Sequence, residues 1–294
     1  MLLIWIGALD QGLAYAGLAL GVYLTLRVLR FADITVDGSF ALGGGAAALL
    51  LTEQVPAALA LLVSAALGAL AGLVTGLIHT RLGVNDLFAG ILTTTGLYSI
   101  TLRLMGRSNI PLTETPPGIA QLPGLGLGSD GSWLLALLLI VLGLIAALAF
   151  LLATDFGVAL RAIGNNPLMA RANGISTRRG LCVGIALGNA LVALAGALVA
   201  LYQGFADVTM GLGSLILGLG AVIVGESLLR PRSIPQALLA VVVGSVVFRL
   251  MIAVALQLGM DPVDLKLATA LLLLAALGLG RFRLPGLAAP GERP

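Results

Sequence analysis

Very few side chains in this sequence are charged, and almost none suit metal binding or disulfide formation. Asp, Glu, Lys and Arg make up 10% of the 294 residues, whereas soluble domains contain roughly 25%. Cys182 is the only cysteine and His79 the only histidine. An internal disulfide and a histidine-cluster metal site are therefore excluded. The net charge of +3 is small and gives no indication of nucleic-acid binding.

Motifs for nucleotide hydrolysis and covalent catalysis are also missing. A Walker motif needs a lysine after glycine to reach the phosphates, but the only lysine, Lys266, follows Asp264-Leu265. There is no Gly-x-Ser-x-Gly motif with a partnered histidine. We therefore predict that the chain has no catalytic residues and binds no cofactor or metal of its own.

Apolar residues dominate the remainder and fall in long runs. They make up 59% of the chain and are accompanied by 40 glycines, which favour close helix packing and broken helices. Runs of about 18 to 25 residues match helices that cross a hydrocarbon core of ~30 Å. We predict an all-α integral membrane protein with one transmembrane domain over residues 1–294 and about nine spans, although eight or ten also fit. The runs are 3–28, 32–52, 56–79, 86–105, 133–153, 180–202, 209–229, 233–257 and 264–280, of which the second and seventh are candidates for broken or re-entrant helices.

The arginines indicate how the chain is oriented, because cytoplasmic loops are enriched in Lys and Arg. Placing the polar stretch Thr154–Gly180 inside puts twelve of the sixteen basic residues on the cytoplasmic side. Arg103, Arg107 and Lys266 fall outside, and Arg249 lies within a span. The distribution predicts an N-terminus outside and a C-terminus inside.

The stretch Thr154–Gly180 is the one long polar interruption in the second half of the chain. We predict two short helices, 157–163 and 167–172, joined by Gly164-Asn165-Asn166. Asn166 can cap the second helix and Pro167 is tolerated at its first position. Gly174 suits a left-handed helix stop. A short helix on the cytoplasmic face, without catalytic residues, indicates a docking segment for a partner.

A six-residue segment occurs twice and indicates an internal duplication. Phe31-Ala32-Asp33-Ile34-Thr35-Val36 is repeated, 174 positions later, as Phe205-Ala206-Asp207-Val208-Thr209-Met210. The copies open the second and seventh predicted spans, five crossings apart. An odd number of crossings reverses direction, so residues of about 13–105 and 180–280 are predicted to form inverted repeats, an architecture of many transporters.

Polar residues at membrane depth are the candidates for a substrate pathway, because such residues tend to face a pathway or a partner. A second interpretation is favoured for Asp33 and Asp207, in which their carboxylates cap helix starts. For Arg249, we favour an ion pair with Asp207 or Asp264 over snorkelling outward or meeting an anionic substrate. Glu226 and Arg230 are predicted to pair across one helical turn. The pathway candidates are Asp33, Thr35, Asp37, Ser39, Thr94, Asp207, Thr209, Ser214 and Arg249.

Three segments together resemble a known family of membrane proteins. They are Gly17-Leu18-Ala19-Leu20-Gly21-Val22-Tyr23, the segment Phe31–Val36, and the pattern Gly157…Arg161-Ala162-Ile163…Ala170…Gly174-Ile175. Across almost the whole chain the sequence is similar to permease subunits of branched-chain-amino-acid-type ABC importers, closest to the tryptophan/tyrosine branch. The glutamate-alanine-alanine signature of many importers is absent, and Arg161-Ala162 with Ala170–Gly174 stands in its place.

The resemblance implies a bacterial inner-membrane importer made of several subunits. It implies a permease homodimer, two cytoplasmic ATPase subunits that bind ATP and Mg, and a periplasmic binding protein, which the outside segment Gly106–Ser132 could contact. It also implies that ATPase coupling lies in Arg161, Ala162, Gly164, Asn165, Asn166, Pro167, Arg171 and Gly174. Reversing the charges of Arg161 and Arg171 is then expected to abolish ATPase association without unfolding the chain. The alternative is a secondary transporter coupled to ions through Asp33, Asp37 or Asp86.

Overall fold

The computed structural model describes residues 2–112 and 129–261, together with residues 264, 267, 269–271 and 273–274. Most of the predicted ninth run, 264–280, and much of the segment Gly106–Ser132 lie outside the described residues. The helices are α1 Leu2–Ala14, α2 Ala16–Val22, α3 Thr35–Thr52, α4 Ala57–Leu82, α5 Asp86–Met105, α6 Ser129–Ala153, α7 Asp155–Asn165, α8 Pro167–Ala172, α9 Thr177–Gln203, α10 Ser214–Leu229 and α11 Ile234–Gln257, and the strands are β1 Asn109–Pro111 and β2 Phe205–Asp207.

Within the described residues, six helices are long and apolar enough to cross a membrane. They are α3, α4, α5, the Trp133–Ala153 part of α6, α9 and α11. The chain is therefore a multi-pass helical membrane protein, as the sequence predicts, whereas the count of nine spans stays a prediction. The first predicted run, 3–28, is divided into α1, α2 and a π-helical turn at Tyr23–Val28.

The two runs expected to be broken differ from each other. The second run contains α3, which is uninterrupted from Thr35 to Thr52, so the expected break is absent there. The seventh run begins with turns, and its helix α10 starts only at Ser214, after Gly213 with φ +87°. At 16 residues α10 is a short apolar helix.

The bundle is organised around α3, which packs against α4, α5 and α9. Glycines bring these helices into backbone contact, because a Cβ on Gly43 would overlap the backbone of Ala193 and a Cβ on Gly196 would overlap the carbonyl of Phe40. Small residues at such crossings let helices approach closely in a membrane. A second group of helices, α10 and α11, packs against α1 and α2.

A short two-stranded sheet, which the sequence did not indicate, accompanies the helices. β1 pairs antiparallel with β2, with Ile110 opposite Ala206. The strands therefore fix the start of the segment Gly106–Ser132 against the second copy of the repeated sequence.

Candidate functional site

The first copy of the repeated segment is held in a buried hydrogen-bond network. The Asp33 carboxylate accepts a bond from the backbone N–H of Thr35 at 2.9 Å and from the side-chain N–H of Asn189 at 2.5 Å. The amide oxygen of Asn189 accepts a bond from the Ser39 hydroxyl at 2.6 Å. Asp33, Thr35, Ser39 and Asn189 are all fully buried. The amide thus joins two predicted pathway residues to α9.

A second chain of hydroxyls runs across three helices beside it. Thr35 Oγ1 lies 2.7 Å from Thr75 Oγ1, and Thr75 donates to Thr93 Oγ1 at 2.9 Å. Thr94, the predicted pathway residue on α5, donates to the backbone carbonyl of Ile34 at 2.9 Å. These bonds fasten the residues before α3 to α4 and α5.

Asp37 stabilises the start of α10 from across the bundle. Its carboxylate accepts bonds from the backbone N–H groups of Gly213 at 3.1 Å and Leu215 at 2.9 Å, and from the Ser214 hydroxyl at 2.9 Å. The first N–H groups of a helix have no partner within the helix, and a carboxylate there also complements the helix dipole. The structure thus brings together two of the predicted pathway residues, Asp37 and Ser214, from the two halves of the chain.

The second copy of the repeat repeats the local geometry of the first. The Asp207 carboxylate accepts bonds from the backbone N–H of Thr209 at 2.7 Å and from its hydroxyl at 2.5 Å. The Asp33 carboxylate likewise accepts the backbone N–H of Thr35, two residues later, while the Thr35 hydroxyl lies next to that of Thr75. Both aspartates therefore hold the backbone of a turn or helix start. The pair Asp207 and Thr209 differs from the first copy in being partly open to solvent.

Asp86, the third acid weighed for ion coupling, also holds backbone. Its carboxylate accepts a bond from the N–H of Ala32 at 3.2 Å. This contact ties the start of α5 to the first copy of the repeat.

Arg249 lies over an aromatic ring instead of forming the expected ion pair. Its guanidinium carbon is 3.6 Å from the centroid of the Tyr15 ring, and neither Asp207 nor Asp264 forms a salt bridge with it. A cation over an aromatic face is attracted by the ring quadrupole. The cavity that Arg249 and Ser245 border has a volume of about 10 Å³. That is room for about one water and far too little for an amino acid.

The predicted ion pair of Glu226 with Arg230 is also replaced. The Glu226 carboxylate instead accepts bonds from Nε and Nη2 of Arg27, in the π-helical turn. The backbone at Arg230 has a positive φ of 44°, which ends α10. The pair therefore links two distant segments instead of two turns of one helix.

The predicted docking segment has the local structure that its sequence indicates, with one difference. The Asn166 side chain caps α8 by accepting the N–H of Met169 at 3.0 Å, and Pro167 opens that helix. Gly174 has a φ of +79°. The helix α7 extends from Asp155 to Asn165, so Gly164 and Asn165 are helical, and Asn166 alone separates α7 from α8.

The two arginines expected to contact a partner bind within the chain. Arg161 is half-buried and donates to the carbonyl oxygens of Leu152 at 3.3 Å and Gly157 at 3.4 Å. Arg171 donates through Nε to the Thr177 hydroxyl at 2.8 Å. Ala162, which follows Arg161 on α7, is half-buried. Both arginine side chains therefore stabilise the segment from within, although Arg171 is also exposed.

Besides Arg171, helix α8 exposes two large apolar side chains that were missed in the sequence. Leu168 is 77% exposed and Met169 65% exposed. A hydrophobic pair within the polar stretch Thr154–Gly180 is a signal that the sequence offered, but it was obscured by the arginines of that stretch. Exposed apolar side chains in such a position are typical of protein contacts.

Helix α5 carries a polar stripe that was also missed. Thr95, Ser99 and Arg103 are exposed and follow each other at intervals of four residues, so they lie on one face of the helix. Gly96, beside them, has no atom near the position of a Cβ. The rest of the described chain therefore leaves this face open.

Known proteins resemble this chain over almost its whole length. The family model described as branched-chain amino acid transport system, permease component, matches residues 5–277. A tyrosine transport system permease protein of Clostridioides difficile (strain R20291) is 36% identical over 279 residues, covering 95% of this chain and 92% of the relative. An uncharacterised protein of Rickettsia prowazekii (strain Madrid E) is 31% identical, covering 93% and 96%.

A solved structure shares the fold. An ABC transporter of the metal-chelate type, in an inward-facing conformation, aligns with a TM-score of 0.53 at 15% identity and covers 95% of this chain and 85% of that one. Membership of an ABC permease family implies ATPase and substrate-binding partners and a membrane-spanning subunit without catalytic activity of its own. The chain belongs to the family of branched-chain amino acid transport system permease components.

Proposed function

We propose that two copies of this chain form the translocation pathway of an amino acid importer, and that the substrate is an aromatic amino acid such as tyrosine. The substrate class is supported by the 36% identity to the tyrosine transport system permease. A binding protein on the outer side would deliver the amino acid, and ATPase subunits on the inner side would drive transport.

The polar stripe of α5 is the observation that carries the homodimer. The Thr95 hydroxyl donates to the carbonyl of Ile91 at 2.9 Å, whereas the exposed groups of Ser99 and of Arg103, in the last turn of α5, are less favourable against lipid than apolar side chains. These polar groups are favourable against water or against a second copy. Small residues such as Gly96 and Ser99 let a second helix approach closely. A pathway between two α5 helices satisfies both requirements.

The buried residues of the first repeat copy then act as supports for the pathway. Asp33, Thr35 and Ser39 are sealed among α3, α4 and α9 and have no exposed surface. Asp207 and Thr209, partly open beside β1, remain candidates for contact with substrate at the outer entrance. Arg249 is a candidate only if its cavity widens during transport.

For the topology, we propose nine crossings, an external N-terminus, an internal C-terminus and an inverted repeat. The repeated carboxylate geometry at Asp33 and Asp207 supports the duplication. The distribution of basic residues supports the orientation. Cysteines introduced at Asn173 and at Arg107, in a variant without Cys182, should react with a membrane-impermeant maleimide from the inner and the outer side, respectively.

The segment of α7 and α8 is proposed to dock on the ATPase through Leu168 and Met169. Both are exposed at the tip of the segment, while Arg161 and Arg171 hold its shape. Burial of an exposed leucine contributes about 1.5–3 kcal/mol, which is enough for a short helix to act as an anchor.

Coupling to an ion gradient is the less favoured alternative. Asp33, Asp37 and Asp86 each bind backbone N–H groups, so their carboxylates are occupied in holding the fold. Uptake in proteoliposomes that carry an ion gradient but no ATPase would support the alternative. Uptake that requires ATP and the ATPase supports the importer.

The homodimer is tested by cross-linking along α5. Cys182 is the only cysteine, so Cys182→Ala gives a cysteine-free background. In it, Ser99→Cys should form a disulfide-linked dimer under mild oxidation. Leu139→Cys, on exposed apolar α6, is the matched control and should stay monomeric. A dimer formed by the control but not by Ser99→Cys would reject the proposed interface.

The substrate is tested separately by uptake. The permease, its ATPase and its binding protein, reconstituted in liposomes, should accumulate labelled tyrosine in preference to labelled leucine. Preference for leucine would leave the importer intact but overturn the aromatic assignment.

A further inference from the structure

The loop between α10 and α11 forms one side of an open groove with a volume of about 430 Å³. Leu229, Arg230, Arg232, Gln236 and Leu239 line it. Ligand pockets in proteins typically have volumes of about 300–1,000 Å³, so the groove is large enough for a small polar group with an apolar extension.

The groove is strongly basic, and no carboxylate in the part of the chain that the structure describes pairs with its arginines. Glu226 is the only acidic residue between Asp207 and Asp261, and its carboxylate pairs with Arg27. Neither Arg230 nor Arg232 forms a salt bridge with any residue that the structure describes. Two guanidinium groups in one groove match a phosphate, which Arg binds with paired N–H donors.

Apolar side chains lie next to the arginines. Leu229 is 47% exposed and Leu239 is 49% exposed. Both belong to helices that end or begin at the predicted membrane boundary. The groove therefore has positive charge at one edge and an apolar surface at the other. A phospholipid has a matching arrangement, with a charged phosphate next to apolar acyl chains.

The position of the groove separates it from the other proposed surfaces. It is built by α10 and α11, which pack against each other and against α1 and α2, whereas α5 packs against α3 and α4. The docking helix α8 packs on α7 and α9. The groove is therefore built from other helices than the proposed dimer surface on α5 and the docking helix α8.

We propose that this groove binds the headgroup of an anionic phospholipid. Arg230 and Arg232 hold the phosphate, and Leu229 and Leu239 contact the first part of the acyl chains. Clusters of basic residues at the inner membrane surface attract anionic lipids, and each basic residue contributes about a fivefold gain in affinity. The inference rests on the proposed orientation, which places the loop between α10 and α11 inside, but not on the proposed substrate or homodimer.

The test measures binding of short-chain phosphatidylglycerol to the detergent-purified chain, with phosphatidylcholine of the same acyl chains as reference. Arg230→Gln with Arg232→Gln should weaken phosphatidylglycerol binding by about 25-fold, the product of two fivefold effects, and leave phosphatidylcholine binding unchanged. Arg232→Gln alone should weaken it by about fivefold. Arg178→Gln with Arg179→Gln is the matched control, since both arginines are exposed at the start of α9, and it should bind within about twofold of the wild type.

Four outcomes would overturn the proposal. Unchanged phosphatidylglycerol binding in the Arg230/Arg232 variant would show that the groove is not the site. An equal loss in the Arg178/Arg179 control would show a general surface-charge effect. Displacement of the lipid by inorganic phosphate alone at similar concentration would assign the groove to a free anion. Loss of ATPase co-purification with unchanged lipid binding would assign it to the ATPase instead.

Discussion

Asn189 donates its side-chain N–H to the Asp33 carboxylate at 2.5 Å, 156 residues away in the sequence. The same amide donates to the carbonyl of Ile185 at 3.0 Å and accepts from Ser39. Both the nitrogen and the oxygen of the Asn189 amide are thus hydrogen-bonded in a site closed to solvent. A buried carboxylate is strongly unfavourable unless its oxygens are hydrogen-bonded, so this one amide makes the buried repeat segment compatible with the fold.

Replacing Asn189 should therefore destabilise the permease strongly. In Asn189→Leu, Asp33 and Ser39 lose their partner at a buried site, and we expect a loss of about 3 kcal/mol in the free energy of unfolding. Thermal or denaturant unfolding in detergent measures it. Asn173→Ala, at an exposed amide on the docking segment, is the control and should change stability by less than about 0.5 kcal/mol.

A double-mutant cycle separates the pair from its surroundings. Asp33→Ala and Asn189→Ala together should cost less than the sum of the two single changes, with a coupling energy of about 1–3 kcal/mol. Additive effects would show that the two side chains do not depend on each other.

The sequence indicated Asp33 but not Asn189, and the reason is physical. An acidic residue within an apolar run is recognisable from the sequence alone, and the repetition of the segment at Asp207 singled out Asp33 further. The partner lies on a helix distant in the chain, and an isolated asparagine in α9 carries no local pattern. Such contacts depend on how α3 and α9 cross, which the hydrophobic runs leave undetermined.

The crossing of α3 and α9 gives a second prediction, which concerns glycine. A Cβ on Gly196 would overlap the carbonyl of Phe40, whereas Gly143 has no atom within 4 Å of that position. Gly196→Ala forces the two helices apart, and overpacking of this kind costs about 1–3 kcal/mol. Gly143→Ala is a matched substitution in another membrane helix and should leave the unfolding midpoint unchanged or slightly raised. Equal midpoints for the two variants would contradict the close crossing.

The ion pair of Arg27 and Glu226 gives a third prediction, because the sequence suggested another partner. The Arg27 side chain is 56% exposed, so solvent screens the pair and its coupling energy should be only about 0.2–1 kcal/mol. A cycle with Arg27→Gln and Glu226→Gln should give a value in this range. The same cycle with Arg230→Gln should give none, and coupling of Glu226 to Arg230 instead would restore the pairing expected from sequence spacing.

The sequence predicted the local structure of the docking segment correctly but predicted the wrong ion pair at the end of α10. The Asn166 cap, the Pro167 start and the Gly174 stop depend on neighbouring residues, and the sequence predicted them correctly. Glu226 and Arg230 have the spacing of a helical pair, but the backbone turns to a positive φ at Arg230 and Arg27 occupies the carboxylate. Sequence spacing therefore does not determine which of the two arginines pairs with Glu226 in the folded chain.

Partner docking gives the last prediction, in which apolar and basic residues of one segment should behave differently. Leu168→Asp places a charge at the most exposed apolar position of α8 and removes a contact worth about 1.5–3 kcal/mol. The amount of ATPase that co-purifies should fall about 10- to 100-fold, while the unfolding midpoint of the permease stays unchanged.

Arg161→Glu should instead lower the midpoint, because Arg161 binds the carbonyl of Leu152 at the end of α6, where a positive charge also complements the helix dipole. Arg178→Gln, exposed at the start of α9, should change neither quantity. If Leu168→Asp co-purified the ATPase normally while a normally stable Arg161→Glu variant lost it, the arginines and not the apolar pair would be the docking residues.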